Sequence, residues 1–431
     1  METETFVSQT WQKSKLFFKA LLIGILVLLL LIPSYFVQEL IREREQRQKD
    51  AYEEVSSKWA GSQIITGPVL VLPYTETVTN VSGPPTILRK QAYLLPDKLS
   101  ITGDMKPEER HRGIYQVMLY SSTLNISGKF NEIPLKQLRI NVSDVLWNEA
   151  YVCIDLQDPR GLKEEMQLKW NDSLITLNPS AINNAVMKNA FVAPVNVSPE
   201  GAISFSSQLQ FNGSHELLFT PVGKETTVKL NSAWKEPSFT GGQLPEYQIS
   251  KDGFAASWKS LSHTRSYPQS WKETSYDLTN ASFGAGLFIP VNGYQKTMRS
   301  VKYAILCIVL TFAAFFIIEM VNKKSVHPIQ YALVGAALLL FYTLLLSFSE
   351  YIGFNLAYIL ATAATVGLIG WFIKGVLSSG KLSWLLSLLL VLLYGYIFTI
   401  LQLQDYSLLL GSIGLFITLG VIMHYSRKIQ W

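Results

Sequence analysis

Cysteine, histidine and charge are all scarce in this chain, and each scarcity removes a class of function. Two cysteines in 431 residues, Cys153 in a polar region and Cys307 inside an apolar run, give no disulfide framework. With no Cys-x-x-Cys neighbour, Cys153 reads as a small buried residue rather than a redox centre. The five histidines, His111, His215, His263, His327 and His424, stand singly. No His-Glu-x-x-His, Gly-x-Gly-x-x-Gly, Walker-type phosphate loop or Gly-x-Ser-x-Gly is present, so zinc-protease, nucleotide and serine-hydrolase chemistry lose their usual signatures. We therefore assign no catalytic, cofactor-binding or metal residue, and expect a protein that is not an enzyme. The net charge is only +5, and no basic stripe interleaved with aromatics tracks a phosphate backbone, which argues against nucleic acid as a partner.

What is present is a sharp division of solvents. Ala20 to Val37 is an uncharged apolar run preceded by Lys13, Lys15 and Lys19, long enough for one transmembrane helix at 1.5 Å rise per residue. A cleaved signal peptide would need a shorter core and a small-x-small site, whereas Pro33, Ser34, Tyr35 and Phe36 follow, so an uncleaved anchor is expected. Gln38 to Lys58 is charged, with Glu43 to Arg47 and Glu45 to Lys49 at the i, i+4 spacing of an exposed helix. It reads as a stalk.

Strand signals dominate from there to about residue 300. Gln63 to Tyr74 is a nearly continuous apolar stretch with Gly67-Pro68 as a bend. In Ile203 to Phe211, Ile203, Phe205, Leu209 and Phe211 alternate with Ser204, Ser206, Gln208 and Gln210, the period of a half-buried strand. Asn212-Gly213 carries a hairpin signal, with His215 to Thr220 as the returning strand. About ten such runs suggest an antiparallel sandwich, or two in tandem. The seven Asn-x-Ser sequons, the first at Asn80, are read as turn residues rather than glycosylation sites.

Beyond Lys302 the text is apolar in five segments: about Tyr303 to Val321, Ile329 to Phe348, Phe354 to Ile373, Ser383 to Leu401 and Tyr406 to Tyr425. With the N-terminus inside, the inner connections carry Lys323, Lys324, Lys374 and Lys381 and the tail carries Arg427 and Lys428, while the outer connections carry Glu350 and Asp405. This assignment obeys the positive-inside rule and its reverse breaks it. Trp371 and Trp384 flank the inner lysines, where an aromatic belt belongs. Ala361, Ala363, Ala364 and Gly367 read as helix-packing positions. Glu319 is the ionisable candidate within a span, where a charge is costly. Its place near the inner end, beside Lys323, fits pairing or snorkelling as well as transport.

The expected architecture is thus an α+β membrane protein: a cytoplasmic N-terminus and transmembrane helix at 1–37, a charged helical stalk at 38–58, a large antiparallel β-rich, sandwich-like periplasmic domain at 59–300, and a five-helix transmembrane bundle with a cytoplasmic C-terminus at 301–431. The blocks Glu54-Val-Ser-Ser-Lys-Trp59-Ala-Gly61 and Thr66-Gly-Pro-Val-Leu-Val-Leu-Pro-Tyr74, with His327-Pro-Ile-Gln-Tyr331, Ser349-Glu-Tyr-Ile-Gly-Phe354, Leu401-Gln-Leu-Gln-Asp405-Tyr-Ser-Leu-Leu-Leu-Gly-Ser412 and the ending Arg427-Lys-Ile-Gln-Trp431, closely resemble the CreD family of bacterial inner-membrane proteins. The resemblance spans nearly the whole chain, apart from the first dozen residues and about Thr75 to Arg89. It implies an inner-membrane protein tied to cell-envelope integrity and stress tolerance, whose relatives are expressed under a two-component system and affect colicin tolerance and sensitivity to wall-directed antibiotics. It carries over no catalytic residue, cofactor or ligand.

The expected partners are the lipid bilayer and other envelope proteins or cell-wall components, with oligomeric state left open. The leading reading is a non-enzymatic protein acting through contacts of its outer domain. A transporter or lipid-handling protein is the alternative, in which Glu319, Glu350 and Asp405 would matter individually. An envelope-modifying enzyme is the third reading.

Overall fold

The computed structural model describes residues 2–78, 85–180, 187, 189–273, 275–287, 293–321, 326–377, 379–403, 409–414, 416, 420 and 423, with the backbone alone at 2–17 and 321. The chain divides into two compact units, one of residues 1–49 with 291–431 and one of residues 50–290.

Anchor and stalk are one helix. α1 runs from Glu2 to Trp59, and Pro33 lies inside it without ending it. The expected stalk pairs form, Glu43 with Arg47 at 2.6 Å and Glu45 with Lys49 at 3.7 Å. Helices of the C-terminal part follow α2 (Leu135–Leu138), a short α-helix of the other unit. They are α3 (Gly293–Lys302), α4 (Ala304–Val321), α5 (Pro328–Ile352), α6 (Phe354–Leu377) and α7 (Gly380–Gln402). α5 starts on a capping box: His327 Nδ1 accepts from Ile329 N and Gln330 Oε1 from His327 N, with Pro328 at the first helical position. It stops at Gly353, whose φ of 77° lets the chain turn directly into α6.

Four of these helices, α1 from Phe18, α5, α6 and α7, are long and apolar enough to cross a membrane, and the pair α3 and α4, bent by 42°, adds a fifth if read as one span. The sequence led us to expect five spans after the β-rich region. Three are long straight helices and one is the bent pair, while the segment expected at Tyr406 to Tyr425 lies largely outside the described residues. The small-residue expectation on α6 is corrected. Ala361 is fully buried, but Ala363, Ala364 and Gly367 face away from the described neighbours. The packed face is Ala357, Ala361, Thr365 and Ile369, because only positions three to four apart share one side of a helix.

The second unit is a two-layered β structure. One sheet orders Pro237–Gly241, Phe283–Leu287, Glu216–Phe219, Gln63–Val78, Tyr151–Leu156, Ala190–Pro194 and Asn178–Pro179, with Thr86–Leu94 and then Ser270–Lys272 branching from Gln63–Val78. The other orders Glu246–Ser250, Gly253–Leu261, Glu225–Ser232, Lys98–Arg112, Tyr115–Phe130, Ile203–Ser214, Gln167–Trp170 and Ser173–Thr176. Inward residues of both sheets fill a single core, with Trp258 set between Phe239 and Phe283.

The sandwich is therefore mixed rather than purely antiparallel. Gln63–Val78 runs parallel to Glu216–Phe219, and Lys98–Arg112 parallel to Glu225–Ser232. The Asn212-Gly213 expectation is also corrected. Both residues remain in the strand, opposite Ser121 and Tyr120, and the chain crosses to the other sheet at His215, with φ of 59°. Gly213 serves a close approach, since a Cβ there would overlap the Tyr120 ring. The Gly67-Pro68 bend is present as a cis peptide beside an irregularity in register.

Candidate functional site

Glu319 sits at the end of α4 and is only 6% exposed. Its carboxylate pairs with the ammonium of Lys19 on α1. Oε1 also accepts from the backbone N of Val326 at 2.9 Å, and Oε2 from the Tyr331 hydroxyl of α5 at 2.9 Å. Lys19 donates a second bond to the Val326 carbonyl at 2.7 Å. Phe312 and Phe315 close over Tyr331, with ring centroids 5.5 and 4.8 Å away. A carboxylate whose two oxygens both hold donors satisfies the condition for keeping a charge in an apolar setting. It is built as a tie between α1, α4 and α5, not as an open ligand.

Glu350 occupies the opposite end of α5, with a side chain 9% exposed. Its Oε1 accepts from the Tyr294 hydroxyl of α3 at 2.9 Å and lies 4.0 Å from Arg44 Nε on α1. Lys19 and Arg44 stand about 38 Å apart along α1 at 1.5 Å per residue, somewhat more than a hydrocarbon core of about 30 Å. Between them, Leu30 packs where a Cβ on Gly335 of α5 would be, the small-residue approach that lets membrane helices meet. α1 is thus joined to Glu319 of α4 and to the Val326 carbonyl through Lys19, and to α5 at Leu30 and Arg44.

The sequence picked out Glu319 and Glu350 but missed their partners. Lys323, expected beside Glu319, and Asp405 lie outside the described residues, and the sequence marks Lys19 only as one of three lysines preceding the apolar run. Its position immediately before the apolar run was the one clue.

The remaining sequence candidates have structural duties. Cys153 is fully buried, its thiol donates to the Val69 carbonyl at 3.4 Å, and burial pushes the thiol well above its usual range. His327 caps α5. His111 is an exposed strand residue 3.3 Å from Glu109, His263 lies in a short turn of helix, and the His215 ring packs against Tyr52 at 4.0 Å, tilted by 35°, with burial lowering its proton affinity. His424 lies outside the described residues. Among the described residues no three His, Cys, Asp or Glu side chains are grouped as metal ligands would be.

An apolar N-terminal helix tied by polar contacts to a C-terminal helical region, with β-rich sheets between them in the sequence, defines a multi-span membrane protein with an inserted β domain. The family model described as inner membrane protein CreD matches residues 15–431. The inner membrane protein CreD of Escherichia coli (strain K12) is 32% identical over 431 residues, covering 97% of this chain and 94% of that protein. The chain belongs to the CreD family of inner membrane proteins.

Proposed function

We propose that the protein supports cell-envelope integrity and stress tolerance without catalysing a reaction, through contacts of its β domain with other envelope proteins or wall components. Both termini are cytoplasmic and the β domain is periplasmic in this reading. The positive-inside pattern supports it, with Lys323, Lys324, Lys374 and Lys381 inside and Glu350 and Asp405 outside. The C-terminal bundle has five spans, the last at Tyr406 to Tyr425.

The observation that carries the proposal is the satisfied state of Glu319. The buried carboxylate is bonded by Lys19, Tyr331 and the Val326 amide, so it fastens helices rather than lining a path. The test is complementation of a deletion strain challenged with detergent and a β-lactam. Whole protein restores resistance, and a version lacking residues 60–295 does not. Full protection by that truncated version, at equal membrane abundance, sinks the proposal.

A second reading, transport or lipid handling, is favoured by one feature. The Tyr394 hydroxyl is fully buried between helices and has no partner among the described residues, and buried orphan hydroxyls call for an explanation. It requires that Tyr394→Phe, Glu319→Gln or Glu350→Gln abolish protection without lowering abundance.

A further inference from the structure

The solvent face of the eight-stranded sheet carries a groove of about 630 Å³. One row of cross-strand neighbours forms its floor: Thr227, Ser100, Ser127 and Ser206 stand side by side on four adjacent strands. These side chains are short, so the floor is recessed and presents hydroxyls that both donate and accept. Lys169 is the next residue in the same row, opposite Ser206. Lys98 and Lys129 rim the groove in the adjacent row, directly opposite each other.

Like charges directly opposite on a sheet are destabilising, so Lys98 beside Lys129 is a cost that folding alone does not explain. Neither they nor Lys169 has an ion-pair partner among the described residues. Glu225, the other cross-strand neighbour of Lys98, is drawn to Lys259 at 3.1 Å. Glu225 and Asp172 border the groove, which leaves its lining net positive. Its one aromatic, Phe205, points into the core at 3% exposure, so no ring is offered for stacking on a neutral sugar.

We propose that this groove binds an anionic polysaccharide, the lysines engaging its carboxylates or phosphates and the Ser100, Ser127 and Ser206 row its hydroxyls. This deepens the function proposed above and rests on its premise that the β domain is the contacting surface. Ammonium groups bind either anion as point charges, and a shallow exposed site of this kind is salt-sensitive because its charges are screened. The carboxylated source is a wall glycan and the phosphorylated source is a lipopolysaccharide core.

The test uses full-length protein in nanodiscs of phosphatidylcholine, whose zwitterionic headgroups add no net charge. Binding of fluorescent solubilised peptidoglycan strands, lipid A-free core oligosaccharide and neutral dextran is measured by anisotropy at low and high salt. Binding of either anionic glycan, at least tenfold weaker in the Lys98→Gln, Lys129→Gln, Lys169→Gln triple variant and at 0.5 M salt (about a 4 Å screening length), supports the site and identifies its source. Lys229→Gln, an exposed lysine of the same sheet outside the groove, controls for diffuse charge and leaves binding within about twofold. Failure of both anionic glycans to bind, equal binding of dextran, or equal weakening by Lys229→Gln overturns the proposal. Because binding is read without any phenotype, a negative result here leaves the envelope function standing, and a failed complementation test leaves the measured affinity intact.

Discussion

Replacing Lys19 by Met removes the ammonium and leaves Glu319 with only the Tyr331 hydroxyl and the Val326 amide. Removing one member of a buried ion pair costs about 3–5 kcal/mol, because a charge is left uncompensated, whereas replacing both members by apolar residues of similar volume is close to neutral. The Lys19 side chain keeps 21% of its surface exposed against 8% for Glu319, so the lower end, about 3 kcal/mol, applies. That is roughly two decades in the folding equilibrium. An ordinary hydrogen bond between membrane helices couples by only about 0.6 kcal/mol, so the two accounts differ about fivefold. The assay is a double-mutant cycle of Lys19→Met, Glu319→Leu and the pair, on purified full-length protein unfolded with a denaturing detergent and followed by tryptophan fluorescence. Lys19→Met loses about 3 kcal/mol, Glu319→Leu loses at least as much because it also orphans the Tyr331 hydroxyl and the Val326 amide, and the double variant is no worse than Glu319→Leu alone, a coupling of about 3 kcal/mol. Losses that simply add, or a coupling near 0.6 kcal/mol, refute the reasoning.

Two further outcomes follow from the β domain. Gln63 is fully buried, donates to the Asp158 and Asn212 carbonyls at 2.9 and 3.0 Å, and accepts from Asp158 N at 3.1 Å; Gln63→Leu orphans these backbone groups and lowers stability by about 2–4 kcal/mol, read as a fall in the thermal midpoint of the full-length protein. The Arg160 guanidinium, with the Gly61 amide, holds the Asp158 carboxyl down to about 2 from an ordinary 3.8. A folded-state value below the unfolded one means that this stability is complete above about pH 4 and is lost as pH falls towards 2. Asp158→Asn accordingly flattens that part of the acid-unfolding curve, and an unchanged curve contradicts the assignment.

What was legible in the sequence is what depends on local period. The alternation in Ile203 to Phe211 predicted a strand, and burial alternates along it as expected. The apolar runs after Lys302 predicted α5, α6 and α7 to within a few residues. What was illegible depends on partners distant in the chain. Asn212-Gly213 has a hairpin's local chemistry, but pairing with Tyr115–Phe130 carries the strand straight through it, because ladder formation over twelve residues outweighs one turn preference. The parallel pairings follow from crossovers between sheets, which periodicity does not encode. Lys19 and Glu319 lie 300 positions apart, so charge cost identified the acid and nothing local identified the base.

Lys19 and Arg44, both inside α1, are not held equally by the other helices. At the Lys19 end the carboxylate is enclosed and directly bonded to the ammonium. At Arg44 the guanidinium is 4.0 Å from Glu350 rather than in direct contact, and its side chain is 37% exposed although that of Glu350 is only 9% exposed, which places the attraction near the upper end of the roughly 0.2–1 kcal/mol of an exposed ion pair. Glu350→Gln keeps an acceptor for the Tyr294 hydroxyl and forfeits only that weak attraction, so it costs under about 1 kcal/mol, several times less than Lys19→Met. Of these two contacts of α1, the one at Glu319 is therefore the stronger. If Glu350→Gln proves as costly as Lys19→Met in the same unfolding assay, the two contacts are equivalent and the ranking argued from their geometry is wrong.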